Sequence, residues 1–336
     1  MRSHRKWVRT LGATVVTLVV MACAADMLLP RWLDLDREPL DEELTQKVRS
    51  LLIEPGRVPA VIVAGDSRAQ RQVVPEVIRR ELGVDAVNIA VAGGELISVD
   101  KVLKRYALSE KKPLLIISAT VFQVNDGAID HDTISMDCLM AMPWIDQIAI
   151  FRQKLPEMAY RKIRMYKRCL GAKCGLSSER TKRFVEDGFM GIDGTFDISG
   201  MAAHPERIRH PWYQDLHLEG RTWHVFQAAL RDIAGSGAQV ILYNGPASPA
   251  WRQLSRNTFM DAAEDQYSRM LERDAAQYPN VHFLDFHGGW IDDFPDTMFY
   301  DIQHLNRTGA AKLSTILCNE IERLNLLSRG PAPTHL

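Results

Sequence analysis

Three side chains at opposite ends of the sequence could together activate an alcohol. Ser67 ends a Gly65-Asp66-Ser67 turn directly after an apolar run, and Asp301 and His304 stand three residues apart near the C-terminus. A serine hydroxyl is a weak nucleophile until an imidazole takes its proton, and the imidazole needs a partner to fix its tautomer. Ser67, His304 and Asp301 therefore read as nucleophile, base and orienting carboxylate. Each fragment alone has a plainer reading. Gly-Asp-Ser is also a helix-opening turn capped by Asp66 or Ser67, and Asp301 could be an N-cap followed by a surface histidine.

The elements that must bring these residues together alternate in type. Apolar runs at Pro59 to Ala64, Ala86 to Val91, Leu114 to Ser118, Gln239 to Tyr243 and Val281 to Asp285 read as strands. Helical patterns fall near Ala69 to Leu82, Leu96 to Leu108, Gly220 to Ile233, Phe259 to Ala276 and Thr308 to Leu324. Such alternation implies right-handed crossovers and a parallel sheet covered on both faces. The expected fold is a three-layer α/β/α sandwich with a five-stranded parallel sheet, flavodoxin-like in plan. Ligands in such sheets bind beyond the carboxyl ends of the strands, where Ser67, the Ala90 to Gly94 turn and the Thr120 to Asp126 loop all fall. The domain is expected over residues 57–328, interrupted by a mainly helical or irregular insertion at about 127–218. Residues 26–56 read as a spacer and lead-in helix, and 329–336 as a frayed tail.

Three blocks make the pattern specific: Ala64-Gly65-Asp66-Ser67-Arg68, Asn88-Ile89-Ala90-Val91-Ala92-Gly93 and Asp301-Ile302-Gln303-His304-Leu305-Asn306. Together they resemble the SGNH/GDSL hydrolase family over about Pro59 to Leu324, the insertion excluded. The last block is closest in style to envelope members that handle acyl groups on surface polymers, such as the DltD-like and alginate O-acetylation branches. The resemblance implies an esterase or acyltransferase that needs neither metal nor nucleotide cofactor.

It also implies an oxyanion hole made by the serine N–H, a second-block N–H and an asparagine after the third strand. Here those would be Ser67, Ala90 and, because Phe122 falls about where the asparagine belongs, Asn125 swung in from nearby. Gln123 is the neighbouring alternative. Arg68, Gly93, Phe122 and Trp251 are candidate substrate contacts. Loss of one oxyanion donor costs about 10²–10³ in rate. The altered third block therefore leaves a second reading open, a non-catalytic envelope module that binds acylated or anionic glycan.

Composition narrows the setting. The chain has 336 residues, 46% of them hydrophobic, and a formal net charge of -1. That balance gives no general attraction to nucleic acid, and no nucleic-acid motif accompanies it. Arg2, Arg5, Lys6 and Arg9 precede an uncharged stretch from Thr10 to Ala25, the layout of an export signal. As an export signal it could be cleaved, kept as a short anchor or lipidated at Cys23, each of which places the domain outside the cytoplasm; the plainer alternative is a buried amphipathic helix in a cytosolic protein. Between Arg152 and Arg183 eleven Lys/Arg face only Glu157 and Glu179, an excess of nine that suits a solvated face, an anionic membrane surface or an anionic polymer. Cys169 and Cys174 could close a small disulfide loop, Cys138 is either free or paired, and Cys318 reads as core. His204, His210, His217 and His224 are too widely spaced to share one ion, so no metal site is expected.

Overall fold

The computed structural model describes Thr14, Thr17 and residues 42–53, 55–56, 58–105, 112–127, 136–150, 187–195, 216–288 and 293–327. The calls on the leader, the basic 152–183 segment, the Cys169/Cys174 pair, His204, His210 and the tail fall outside them. The described residues from Glu43 onward form one compact unit.

Strands β1 (Val61–Ala64), β2 (Ala86–Asn88), β3 (Leu114–Ser118), β4 (Val240–Asn244) and β5 (Val281–Asp285) form one parallel sheet in the order β2-β1-β3-β4-β5. Alternate side chains point to opposite faces of a strand, so the sheet feeds two cores. Ile62, Ala64, Leu115, Ile117, Val240 and Leu242 pack on one side. Val61, Val63, Leu114, Ile116, Ile241 and Tyr243 pack on the other. The first face is covered by α1 (Glu42–Val48), α4 (Leu96–Arg105), α6 (Arg221–Gly235) and α8 (Phe259–Ala275). The second is covered by α3 (Pro75–Leu82) and α9 (Arg307–Arg323). The three-layer α/β/α sandwich read from the sequence is the architecture found.

The helix expected from Ala69 to Leu82 is instead two, α2 (Ser67–Gln72) and α3. Pro75 has no N–H to continue a helix, and it pushes the preceding residue toward extended backbone. Val73 and Val74 are extended, and the Val74 N–H finds the Ser314 hydroxyl at 2.8 Å. Strand β2 ends at Asn88 rather than Val91, because the Asn88 side chain turns back onto the backbone. Its amide donates to the carbonyls of Ala69 and Val73, and its Oδ1 accepts the Ala90 N–H at 3.0 Å.

The described part of the insertion contains α5 (Met136–Ala141) and an irregular stretch at 187–195 that returns along the domain. Buried Lys47 of α1 donates to the carbonyls of Ala90 and Gly188, joining the lead-in helix to the second block and to this stretch. Cys138 and Cys318 are buried thiols, neither in a disulfide, and burial pushes both pKa values up, that of Cys318 to about 12. Among the described residues no helix is long and apolar enough to cross a membrane, and no group of His, Cys, Asp and Glu is arranged to hold a metal ion.

Candidate active site

Ser67 is the first residue of α2 at the carboxyl end of β1. The turn before it needs glycine. Gly65 has φ +115°, and a Cβ there would lie 2.7 Å from Ser118 Oγ and 2.8 Å from Ser118 O. Gly94 is as constrained, since its Cβ would sit 2.3 Å from Gly65 O. First-block and second-block loops thus touch backbone to backbone beside the serine.

Asp66 is fully buried and caps α2, accepting the Arg68 N–H at 3.0 Å. Its carboxylate also accepts from Ser118 Oγ at 2.6 Å, Thr120 Oγ1 at 2.7 Å and Gln123 Nε2 at 3.3 Å. These bonds bind the nucleophile turn to the end of β3 and the loop after it. A carboxylate with its lone pairs filled by four donors has no role left as a proton acceptor.

Asp301 and His304 lie in a tight loop closed by an antiparallel bridge between Phe299 and Leu305 and by the Tyr300 N–H on His304 O at 2.8 Å. Asp301 Oδ1 accepts the N–H groups of Gln303 at 3.0 Å and His304 at 2.8 Å, shaping the loop from within. The cap of α9 is Asn306, not Asp301, so the plainer reading of Asp301 as an N-cap does not hold.

The loop brings the distant residues together. His304 Nδ1 lies 2.7 Å from Asp301 Oδ2, and His304 Nε2 lies 2.8 Å from Ser67 Oγ. An ionised carboxylate only accepts, so Nδ1 carries the proton and Nε2 is left to accept from the serine hydroxyl. Burial pushes the Asp301 carboxyl pKa up, but the bond from His304 and the two backbone N–H groups outweigh it. The carboxyl is held below its ordinary value and ionised. His304 is 8% exposed and Ser67 half-buried, so the pair is sheltered yet reachable. The geometry permits proton transfer from Ser67 to His304 with Asp301 steadying the ring.

Other expected residues serve elsewhere. The Ala90 N–H is bound to Asn88 Oδ1 and its carbonyl to Lys47, so Ala90 offers no oxyanion donor. Asn125 is fully buried, and its Oδ1 accepts the N–H groups of Gly127 at 3.1 Å and His217 at 2.8 Å. Neighbouring Asp126 caps α6 from across the chain, taking the N–H groups of Arg221 and Thr222 at 2.9 Å each. Burial raises the Asp126 pKa, and these bonds more than reverse that, leaving it lowered. The Asn125-Asp126 pair therefore clamps the neck of the insertion, which explains why this asparagine is not free to swing in.

Arg68 is 3% exposed and turned inward, donating to Asn244 Oδ1 at 3.0 Å and Gln303 Oε1 at 2.8 Å, so it does not face a substrate. Trp251, in α7 (Pro249–Ser255), is 3% exposed in the hydrophobic core and does not line a cleft. Phe122 is half-buried in a short 3₁₀ turn, Val121–Gln123. Gly93 is exposed with φ +73°. Among the described residues neither the Ser67 N–H nor the Gly93 N–H has a hydrogen-bond partner.

The capping role read for Asp66 is found, but its bonds to Ser118, Thr120 and Gln123 were missing from the sequence reading, as was the role of Asn88, and Gln123 was read only as an alternative oxyanion donor. The only signal for Asn88, Ser118 and Thr120 was their place at strand ends, which a solvated loop shares.

No family model matches the chain, and no curated protein does. Among solved structures it is similar to a lipase/acylhydrolase from Enterococcus faecalis, at 14% identity over 81% of this chain and 99% of that one, with a TM-score of 0.41. It is also similar to a catalytic mutant of an acetylxylan esterase from Geobacillus stearothermophilus, at 13% identity over 78% and 93%, with a TM-score of 0.38. Likeness at this level does not reach the chemistry, which stands on the Ser67, His304 and Asp301 geometry.

Proposed function

We propose that the protein is an SGNH-type serine esterase or O-acyltransferase that forms an acyl-enzyme on Ser67. The observation that carries this reading is the unbroken relay from Ser67 Oγ to His304 Nε2 at 2.8 Å and from His304 Nδ1 to Asp301 Oδ2 at 2.7 Å.

In the proposed cycle Ser67 Oγ attacks the acyl carbon while its proton passes to His304 Nε2. The tetrahedral oxyanion is held by the Ser67 N–H, at the N-terminus of α2, and by the Gly93 N–H, which takes the place expected for Ala90. Collapse breaks the bond to the leaving alcohol, which receives the His304 proton and departs. In the second half a water or a sugar hydroxyl gives its proton to Nε2 and attacks the acyl-serine; the bond to Ser67 Oγ breaks as Nε2 returns that proton to it, which frees Ser67. Water makes the protein an esterase and a sugar makes it a transferase. The export-type leader and the basic 152–183 segment support an extracytoplasmic site of action on acylated envelope glycan or polymer.

The commitment of Ala90 and Asn125 to other bonds favours a second reading, an envelope module that binds acylated or anionic glycan without turnover. Hydrolysis of p-nitrophenyl acetate separates the two. Turnover that disappears in Ser67→Ala supports the enzyme; equal rates for parent and variant would refute it.

A further inference from the structure

His304 and Ser67 are separated by 237 positions, and their 2.8 Å contact needs the Asp301 to His304 loop to be pinned against α2. Two side chains of α2 do this, and both act on Gln303. Arg68 Nη2 donates to Gln303 Oε1 at 2.8 Å, and Gln72 Nε2 donates to Gln303 O at 2.5 Å. The other arm of the Arg68 guanidinium, Nη1, donates to Asn244 Oδ1 at the end of β4, and Asn244 is itself fixed by its bond to Ser268 Oγ at 3.1 Å. Arg68 is thus a crossbar between a central strand and the loop that carries the base. Arg68, Gln72, Gln303 and Asn244 are all buried.

We propose that Arg68 and Gln303 are a positioning pair that sets the placement of His304 relative to Ser67; the proposal rests on the acyl-transfer reading of this site. Gln303 precedes His304 directly, and the N–H groups of both residues end on Asp301 Oδ1. A shift of Gln303 therefore moves the base and its orienting carboxylate together. A guanidinium suits the task because its planar fork reaches two fixed acceptors at once, whereas a lysine ammonium on a flexible stem does not hold that geometry. The two acceptors are neutral amides, so the bonds are charge-assisted on the donor side.

Misplacement of about 1 Å can cost 10²-fold in rate. Gln303→Leu, which removes the acceptor, is expected to lower kcat for p-nitrophenyl acetate by about 30–100-fold with KM changed less than about threefold. Gln303→Glu, which keeps an oxygen facing Arg68, is expected to restore kcat to within about fivefold of the parent. Arg68→Lys is expected to fall between them. Gln303→Met, closer in length, repeats the test should the leucine variant not fold.

The same proteins, labelled with ¹⁵N-histidine, give a readout independent of turnover: the His304 Nδ1–H proton resonance. It should be sharp in the parent, broadened or moved in Gln303→Leu, and restored in Gln303→Glu. An unmoved resonance together with kcat within threefold of the parent in Gln303→Leu overturns the positioning role. A parent without Ser67-dependent turnover whose resonance still depends on Gln303 would refute the acyl-transfer reading and leave the positioning intact.

Discussion

Replacing Asp66 tests the assignment of this residue as the keystone of the nucleophile turn. Asp66→Ala removes the cap of α2, worth ~1 kcal/mol. It also strips the acceptor from the Ser118 and Thr120 hydroxyls and the Gln123 amide, all buried. A hydrogen bond to a charged group contributes ~1.5–3 kcal/mol. The two hydroxyls can rotate to other acceptors, and removing a buried carboxylate relieves its desolvation, so these losses do not add in full. The expected destabilisation is about 3 kcal/mol, read as a lower urea midpoint with an unchanged slope. Asp66→Asn has a milder prediction for a structural reason. Its Oδ1 keeps the cap, and a flip of Gln123 turns the buried Oε1, which has no hydrogen-bond partner, toward the new amide. A loss of only ~1 kcal/mol is expected, with the Ser67 reactivity retained. If Asp66→Ala costs less than ~1 kcal/mol, or if the asparagine variant is the worse of the two, the assignment of the network is wrong.

Asp301→Asn should lower kcat by about 10³–10⁴, the scale for losing the carboxylate that orients a triad imidazole, in a protein that still folds; a loss under tenfold would remove Asp301 from the relay. Gly65→Ala places a Cβ 2.7 Å from Ser118 Oγ at φ +115°, so a loss of at least ~2 kcal/mol is expected in denaturant unfolding, and a neutral outcome contradicts the close approach. Stability should fall in two stages on acidification. Burial lowers the pKa of His287, so its contribution is complete above the ordinary histidine value near ~6.5 and declines as pH falls below it. Asp126 and Asp301 are held below the ordinary carboxylate range, so their contribution is complete above ~3.9 and is lost as pH falls through their lower folded values. Urea midpoints between pH 8 and 3 measure this, with His287→Gln expected to shallow the first stage, to which His282, its pKa also lowered by burial, contributes as well, and Asp126→Asn to shallow the second.

The strands were legible because little competes with their short apolar runs: β3 and β5 have the bounds read from the sequence, although β5 is only half-buried after Val281. The triad was legible because a glycine-aspartate-serine turn after a strand and an aspartate three residues before a histidine are local patterns, and the alternation of elements tells which sheet end they share. What the sequence hid is side-chain traffic between distant segments. Asn125 looks like a loop residue free to swing until the His217 N–H, 92 positions away, is found on its Oδ1. Arg68 reads as a substrate contact beside the nucleophile until Asn244 and Gln303 are seen to hold it inside. Trp251 follows a Ser-Pro turn that reads as a cleft wall, but Pro249 and the Ser248 cap start a helix that turns the indole into the core. The break at Val73-Val74 was within reach, since Pro75 stands in the middle of the helix assigned there.

Intact-mass analysis after reaction with a fluorophosphonate tests the activated serine most directly, because the reagent needs only a nucleophile, its base and an oxyanion site. One adduct mapping to Ser67 in the parent is the expected result, absent in Ser67→Ala and formed at least ~10²-fold more slowly in His304→Ala. A folded parent that stays unlabelled, or that labels equally fast without His304, would contradict the account.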